Sequence, residues 1–369
     1  MIEVMAVAGI ALKTSLVVVA AGLLSFAFRR QSAAFQHALW TLALALCVLM
    51  PLAVLLLPSH DVVVLPAAQT TIVRSAAPSG SAVIALLLIG SSIVLVRELL
   101  ATIGLARWRR QAQGASTHWS ATLSRIAAAH GFDVRGLRVV ESEHIASPCT
   151  WGVLRPILLL PTAGNAWPES ARYAALVHEL AHIQRRDALS TLVSRLACVL
   201  HWYNPLVWLA AARVRSLQER ACDDAVLRTG AAPSDYAQFL LDVAADPSGM
   251  PHPARVAIGM THGSSLRARI VAILDPQATR SQPSRPHLVA ACASLLVVTI
   301  LVATTSVAVE PPPLPKIPAL PEIPVLPKLP ASPVPPVEAV PAVPAVPALP
   351  GARAVPAVPP QLPVHPRQL

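Results

Sequence analysis

Charge is scarce in this chain. Only 13% of its 369 residues are Asp, Glu, Lys or Arg, about half the share usual in a soluble domain. With 54% hydrophobic residues, this excludes an ordinary soluble enzyme and leaves a membrane composition. Cysteine is also sparse. Of five, Cys47 and Cys292 fall in apolar runs, while Cys149, Cys198 and Cys222 fall in a region read below as cytoplasmic. No disulfide framework is expected. No helix-turn-helix signature accompanies the net charge of +10, so direct nucleic-acid binding is not expected and the basic balance concerns topology first.

Four segments approach the roughly 20 apolar residues needed to cross a bilayer: Val4–Phe28, Ala38–Pro58, Ser79–Val96 and His287–Val309. The last contains no Asp, Glu, Lys or Arg. The first lacks a basic leading region, and Arg29–Arg30 follow it rather than precede it, so it reads as a retained anchor rather than a signal peptide. Arginine placement sets the orientation. Arg29 and Arg30 occupy the short first loop, and the longer second loop holds only Arg74. Arg97, Arg107, Arg109 and Arg110 follow the third span, and Arg280 and Arg285 precede the fourth. The expected protein is multi-pass in the inner (cytoplasmic) membrane, with both termini outside and residues 97–286 forming a cytoplasmic domain.

That domain begins with a probable amphipathic helix in "ATLSRIAAAHGF". The stretch "LRVVESEHIASPCTWGVLRPILLLP" follows, with Pro148, Gly152, Pro156 and Pro161 punctuating apolar runs in the manner of short strands. Pro168–Glu169 open a helix expected to run to Arg186, since Pro and Glu suit a first helical turn. Asn204–Pro205 then split a long apolar stretch into two helices, with Asn204 as the cap. The expectation is core helices, or helices resting against the membrane. "SSLRARIVAILDP" is a short amphipathic helix ending before Pro276. From Glu310 onward 21 of the chain's 37 prolines recur about every third residue. This composition favours disordered polyproline II over packed structure. Residues 310–369 read as an extracytoplasmic spacer or docking arm for an unknown envelope partner.

Chemistry concentrates in "ARYAALVHELAHIQRRD". His178 and His182, four apart, share a helix face and can ligate one zinc ion. Glu179 lies beside them and suits a general base acting on water at the metal. A third ligand is needed. Glu219 can supply it, with Asp223 four residues on accepting the second ring N–H of a ligand histidine. The plainer alternative pairs Glu219 with Arg215 or Arg220 on a solvated face. His201 can donate to the oxyanion of a tetrahedral intermediate or be hydrogen-bonded structure, and Tyr203 and Tyr236 are weaker candidates for the donor role. Asp187 forms either a local ion pair with Arg185 and Arg186 or an outer support of the site. The run Ile157–Leu160 offers either a sheet edge for an extended substrate or ordinary core.

The series "HELAHIQRRD", "HWYNPLVW" and "QERACDDAVL", with "SPCTWGVLRPILLLP" upstream and "LRARIVAIL" downstream, resembles the membrane-embedded zinc metallopeptidases of the BlaR/MecR type, over about Met1 to Val309. The resemblance implies a predominantly α-helical polytopic protein, with three spans, a mainly helical gluzincin-like protease domain containing short strands, and a fourth span. It implies one zinc per chain held by His178, His182 and Glu219, with Glu179 as catalytic base. It also implies a protein substrate, such as a cytoplasmic transcriptional repressor or the chain itself, in transmembrane signalling. Relatives that sense β-lactams carry an external penicillin-binding domain with a Ser-x-x-Lys nucleophile motif. No such motif occurs here, so β-lactam sensing is not expected. The run "DPQATRSQPSRPH" before the last span is a candidate self-cleavage site. The rival reading is a non-proteolytic membrane scaffold acting through its proline-rich arm.

Overall fold

The first two helices form an antiparallel pair, α1 (Ile2–Ala27) and α2 (Ala33–Leu56). Gln36 Nε2 donates to the carbonyls of Ser25 and Phe28 at 3.2 and 2.7 Å, satisfying acceptors that the end of α1 leaves open. The computed structural model describes residues 2–58, 60–63, 80–143, 145, 147–245 and 266–308. The proline-rich region and the run around Arg74 lie outside them.

After β1 (His60–Val63) comes α3 (Gly80–Gln111). It continues well past Val96, where sequence reasoning ended the third span: Arg97 and Glu98 pair with each other at 2.6 Å without breaking the helix. The fourth apolar helix, α10 (Arg285–Thr304), runs into β6 (Thr305–Ala308). Among the described residues these four helices are long and apolar enough to cross a membrane. Two contacts fix their relative polarity. Phe28 at the end of α1 meets His287 at the start of α10, and Lys13 Nζ donates to the carbonyl of Ala303 near the end of α10 at 2.8 Å. α10 is therefore antiparallel to α1 and parallel to α2, and β1 pairs with β6 in parallel, His60 opposite Thr305.

Between α3 and α10 lie a small sheet and, among the described residues, six further α-helices. First come β2 (Gln113–Gly114), α4 (Thr117–His130), β3 (Arg138–Ser142), β4 (Cys149–Trp151), β5 (Ile157–Pro161) and α5 (Glu169–Gln184). There follow α6 (Asp187–Leu200), α7 (Pro205–Arg228), α8 (Pro233–Ala245) and α9 (266–274). The sheet order is β2-β3-β5-β4, with β3 and β5 parallel and the outer strands antiparallel to their neighbours. Every residue of β5 is buried. The reading of Ile157–Leu160 as a possible sheet edge is thus corrected, because β5 is paired on both sides. The end of the sheet on that side is β4. Trp119, Leu158, Leu160, Leu176, Val177, Leu180, Val226 and Tyr236 form the core that joins sheet, α5, α7 and α8.

Of the two alternatives for α6 and α7, the structure shows core helices: they enter the bundle as a helical hairpin. Ala197, Cys198, Val207, Ala210 and Val214 share one apolar core with Val17, Leu39, Leu44, Cys47 and Leu295. The hairpin is fastened to α2 from His37, beside Ser190, to Cys47, whose carbonyl bonds His201. From His37 to Cys47, α2 rises about 15 Å. Irregular backbone buried among helices requires partners for its polar groups. Asn204 supplies them: its Oδ1 accepts from Leu206 N at 3.0 Å, and its Nδ2 donates to the Thr14 and Ser15 hydroxyls at 3.2 and 3.1 Å. On α3, a Cβ at Gly90 would overlap the Trp202 indole, so only glycine lets the hairpin tip sit there.

Candidate metal centre

Helix α5 points its one-turn-apart histidines toward α7. His178 Nε2 and His182 Nε2 lie 3.2 Å apart. From α7, Glu219 Oε2 lies 3.6 Å from His178 Nε2, and its Oε1 lies 3.8 Å from His182 Nε2. Donors bound tetrahedrally at about 2.0–2.1 Å to one zinc would be roughly 3.3 Å from one another. The three side chains therefore fit a zinc ion without rearrangement of their helices. Both other ring nitrogens are engaged. His178 Nδ1 faces Asp223 Oδ1 at 3.2 Å and the Tyr236 hydroxyl at 3.1 Å, and His182 Nδ1 faces Asp187 Oδ2 at 2.9 Å. Carboxylates at both Nδ1 positions select the tautomer that leaves Nε2 free for metal.

The turn after α5 makes the second pairing possible. Arg186 adopts the left-handed conformation, φ 56°, which costs a non-glycine residue on the order of 1–2 kcal/mol. This reversal makes Asp187 the first residue of α6 and brings it beside His182, one turn back in sequence. Asp187 is 1% exposed and also receives Arg185 Nε at 3.3 Å and Cys222 Sγ at 3.6 Å. Burial pushes the Cys222 thiol well above its ordinary range. It sits there as a neutral donor, although His182, Asp187 and Cys222 form a second cluster of potential metal donors.

Asp223 is gripped from two sides. Tyr236 donates to its Oδ1 at 2.8 Å, and Arg269 on α9 meets both carboxylate oxygens at 2.7 and 2.9 Å. Arg269 Nη1 also lies 3.1 Å from Glu219 Oε2. Burial opposes ionisation of Glu219, yet the contacts with His178 and the charge of Arg269 hold its carboxyl down at about 2. Burial likewise opposes a charged His178, but Asp223 and Glu219 lift it to about 9. Glu179, 7% exposed, is pushed up by burial while the two histidines pull it down. Its carboxylate bonds the Thr150 side chain of β4, so the last strand of the sheet lies next to it.

Seven of the nine residues singled out from sequence are brought together: His178, Glu179, His182, Asp187, Glu219, Asp223 and Tyr236. His201 is placed elsewhere, at the hairpin tip, bonded to the Cys47 carbonyl at 2.9 Å and to Tyr203 at 3.4 Å. The oxyanion role suggested for His201 and Tyr203 finds no support there, because a loop deep in the bundle must satisfy its own polar groups. Tyr236 does join the site, though against Asp223 and His178 rather than open space. Sequence reasoning missed Arg269 and Thr150. Both sat in stretches quoted for their resemblance, "LRARIVAIL" and "SPCTWGVL", which were the available signal.

The family profile described as BlaR1 peptidase M56 matches residues 5–273. A curated relative, the regulatory protein BlaR1 of Bacillus licheniformis, is 28% identical over 149 residues, which is 40% of this chain and 25% of that protein. The chain thus spans about a quarter of the length of the relative it matches.

Proposed function

This chain belongs to the BlaR1 peptidase M56 family, and from that premise we propose that it is a zinc endopeptidase working at the cytoplasmic face of the inner membrane. The observation that supports it most is the convergence of His178 Nε2, His182 Nε2 and Glu219 within 3.2–3.8 Å, with Glu179 beside them. His178, His182 and Glu219 would hold the ion, which when bound would supply Lewis-acid polarisation of a scissile carbonyl and of water. Glu179 takes a proton from the attacking water and passes it to the leaving amine nitrogen. Its burial, which raises the carboxyl toward neutrality, suits a group that must both accept and return a proton. Asp223 and Asp187 keep the two imidazoles oriented throughout.

The substrate is a protein, and β4 is where it docks. An extended segment adding to the outer side of β4 by strand pairing would run past Thr150 and Glu179. A cytoplasmic regulator such as a transcriptional repressor fits this reading, as does the chain itself. The candidate self-cleavage run at 275–287 is tied down, with Arg280 Nη2 donating to the Ile273 and Asp275 carbonyls at 2.8 and 2.9 Å. Cleavage there requires its release. The arginine distribution supports a cytoplasmic placement of residues 97–286, with both termini on the other side.

The test is metal content of the detergent-purified full chain together with fragment mapping in cells. About one zinc per chain is expected, lost in His182→Ala and retained in Glu179→Gln, with fragments only from the wild type. A folded wild type that takes up no zinc would refute the reading.

A further inference from the structure

Asp187 has several neighbours besides His182, and one of them comes from an apolar helix read as a membrane span. Arg185 lies on the adjoining turn, and Gln218 and Cys222 lie on α7, with Gln218 Nε2 donating to the Asp187 carbonyl at 3.3 Å. The fourth is His37, in the first turns of α2. Its Nε2 lies 3.2 Å from Ser190 Oγ and 4.0 Å from Asp187 Oδ1. Ser190 Oγ in turn donates to the Asp187 carbonyl at 2.9 Å. The Ser190 hydroxyl spends its proton on that carbonyl, so it accepts from His37 Nε2–H. His37 thus reaches Asp187 at two points, its carboxylate directly at 4.0 Å and its backbone carbonyl through Ser190, and the same carboxylate meets His182 Nδ1 at 2.9 Å.

An imidazole at the start of an apolar span is costly to bury unless it is bonded, and His37 is 7% exposed. Packing alone does not call for one there. Its neighbours on α2, Phe35 and Leu39, are fully buried apolar residues that already seal this part of the bundle.

We propose that His37 is a positioning residue of the metal site: through Ser190 and Asp187 it sets the His182 imidazole, so that metal geometry depends on where the second span stands relative to the hairpin. This rests on the zinc reading above. Removing the direct partner of a ligand histidine costs about 10- to 100-fold in metal affinity. His37 acts one layer further out, and a loss of about 3- to 10-fold is expected for His37→Ala.

The experiment uses the full chain in detergent with Co(II) as the probe, reading affinity by titration and coordination by the visible absorption band. The wild type gives a saturable four-coordinate spectrum. His37→Ala weakens binding and shifts the band, and His37→Gln, which can still donate to Ser190, restores both. In an Asp187→Ala background His37→Ala adds nothing further, because the route to His182 is already cut. Wild-type affinity and spectrum in His37→Ala would overturn the proposal. So would a loss that is undiminished in the Asp187→Ala background, since simple packing damage is additive. If His37→Ala does not fold, Ser190→Ala removes the bridge to the Asp187 carbonyl and leaves the span intact. An unchanged band in that variant overturns the proposal equally. A wild type that binds no Co(II) or zinc overturns the zinc reading itself, and this inference falls with it.

Discussion

Loading of the metal should expel a proton, and the structure says from where. In the metal-free protein His178 is buried, yet Asp223 and Glu219 raise it from its ordinary 6.5 to about 9. Zinc needs the neutral ring, so ligation and protonation compete at the same Nε2. At pH 7 a group with a pKa of about 9 is neutral in about 1% of molecules. Apparent zinc affinity at pH 7 is therefore on the order of 100-fold below its limit. Because the folded pKa is raised, protonation is favoured below about 9, and affinity climbs about tenfold per pH unit from 6.5 toward 9 before levelling. Glu219 is held down at about 2 and Asp223 lower than an ordinary aspartate. Neither contributes a proton in this range. The assay is isothermal titration calorimetry of chelator-stripped protein in buffers of different ionisation enthalpy, which counts protons released per zinc bound. About one proton from His178 is expected at pH 7, and Asp223→Asn should flatten the dependence by removing the charge that holds it. Zinc affinity that stays level between pH 6.5 and 8 would refute the assignment of Asp223 to His178.

Glu179→Gln should retain about one zinc while lowering peptide-bond cleavage by about 10²- to 10⁴-fold, the range for a lost general base; loss of the metal as well would move Glu179 among the structural groups. Gly90→Leu should drive Trp202 from α3 and lower the thermal midpoint of the detergent-solubilised protein, while Gly104→Leu, with nothing within 4 Å of its added Cβ, should leave it unchanged. Equal effects would argue against an inserted hairpin. Asn204→Ala removes a helix cap and two buried bonds, and should cost about 1–2 kcal/mol, read as a lower midpoint. Truncation after Val309 should leave cleavage intact, whereas loss of all activity would favour the scaffold reading of the proline-rich arm.

The parts of the site that were legible in sequence are those whose spacing is local. His178, Glu179 and His182 lie within one helical turn and a bit. Glu219 and Asp223 repeat that spacing on α7, so one period announces both faces. The four spans were equally visible, because apolar length alone signals them, and Asn204–Pro205 marked its helix start by chemistry confined to adjacent residues. The length of α3 beyond Val96 was less legible, because Arg97 and Glu98 pair with each other, Glu98 further binds Arg195 at 3.3 Å, and the helix continues through them.

What only the tertiary structure decided is which residues stand beside those candidate ligands. His37 and Ser190 are 153 residues apart, and Asp223 and Arg269 are 46 apart. No periodicity connects them. Asp187 could be an ion pair or a ligand's partner until the left-handed Arg186 turned it under His182. The sheet edge moved from β5 to β4 once strand order was known, since an apolar run does not reveal how many neighbours it has. The hairpin of α6 and α7 read as core or surface because its apolar faces suit either. Its place among the apolar helices follows from Gly90 and from the hydroxyls of Thr14 and Ser15, which offer the room and the bonds that a buried loop needs.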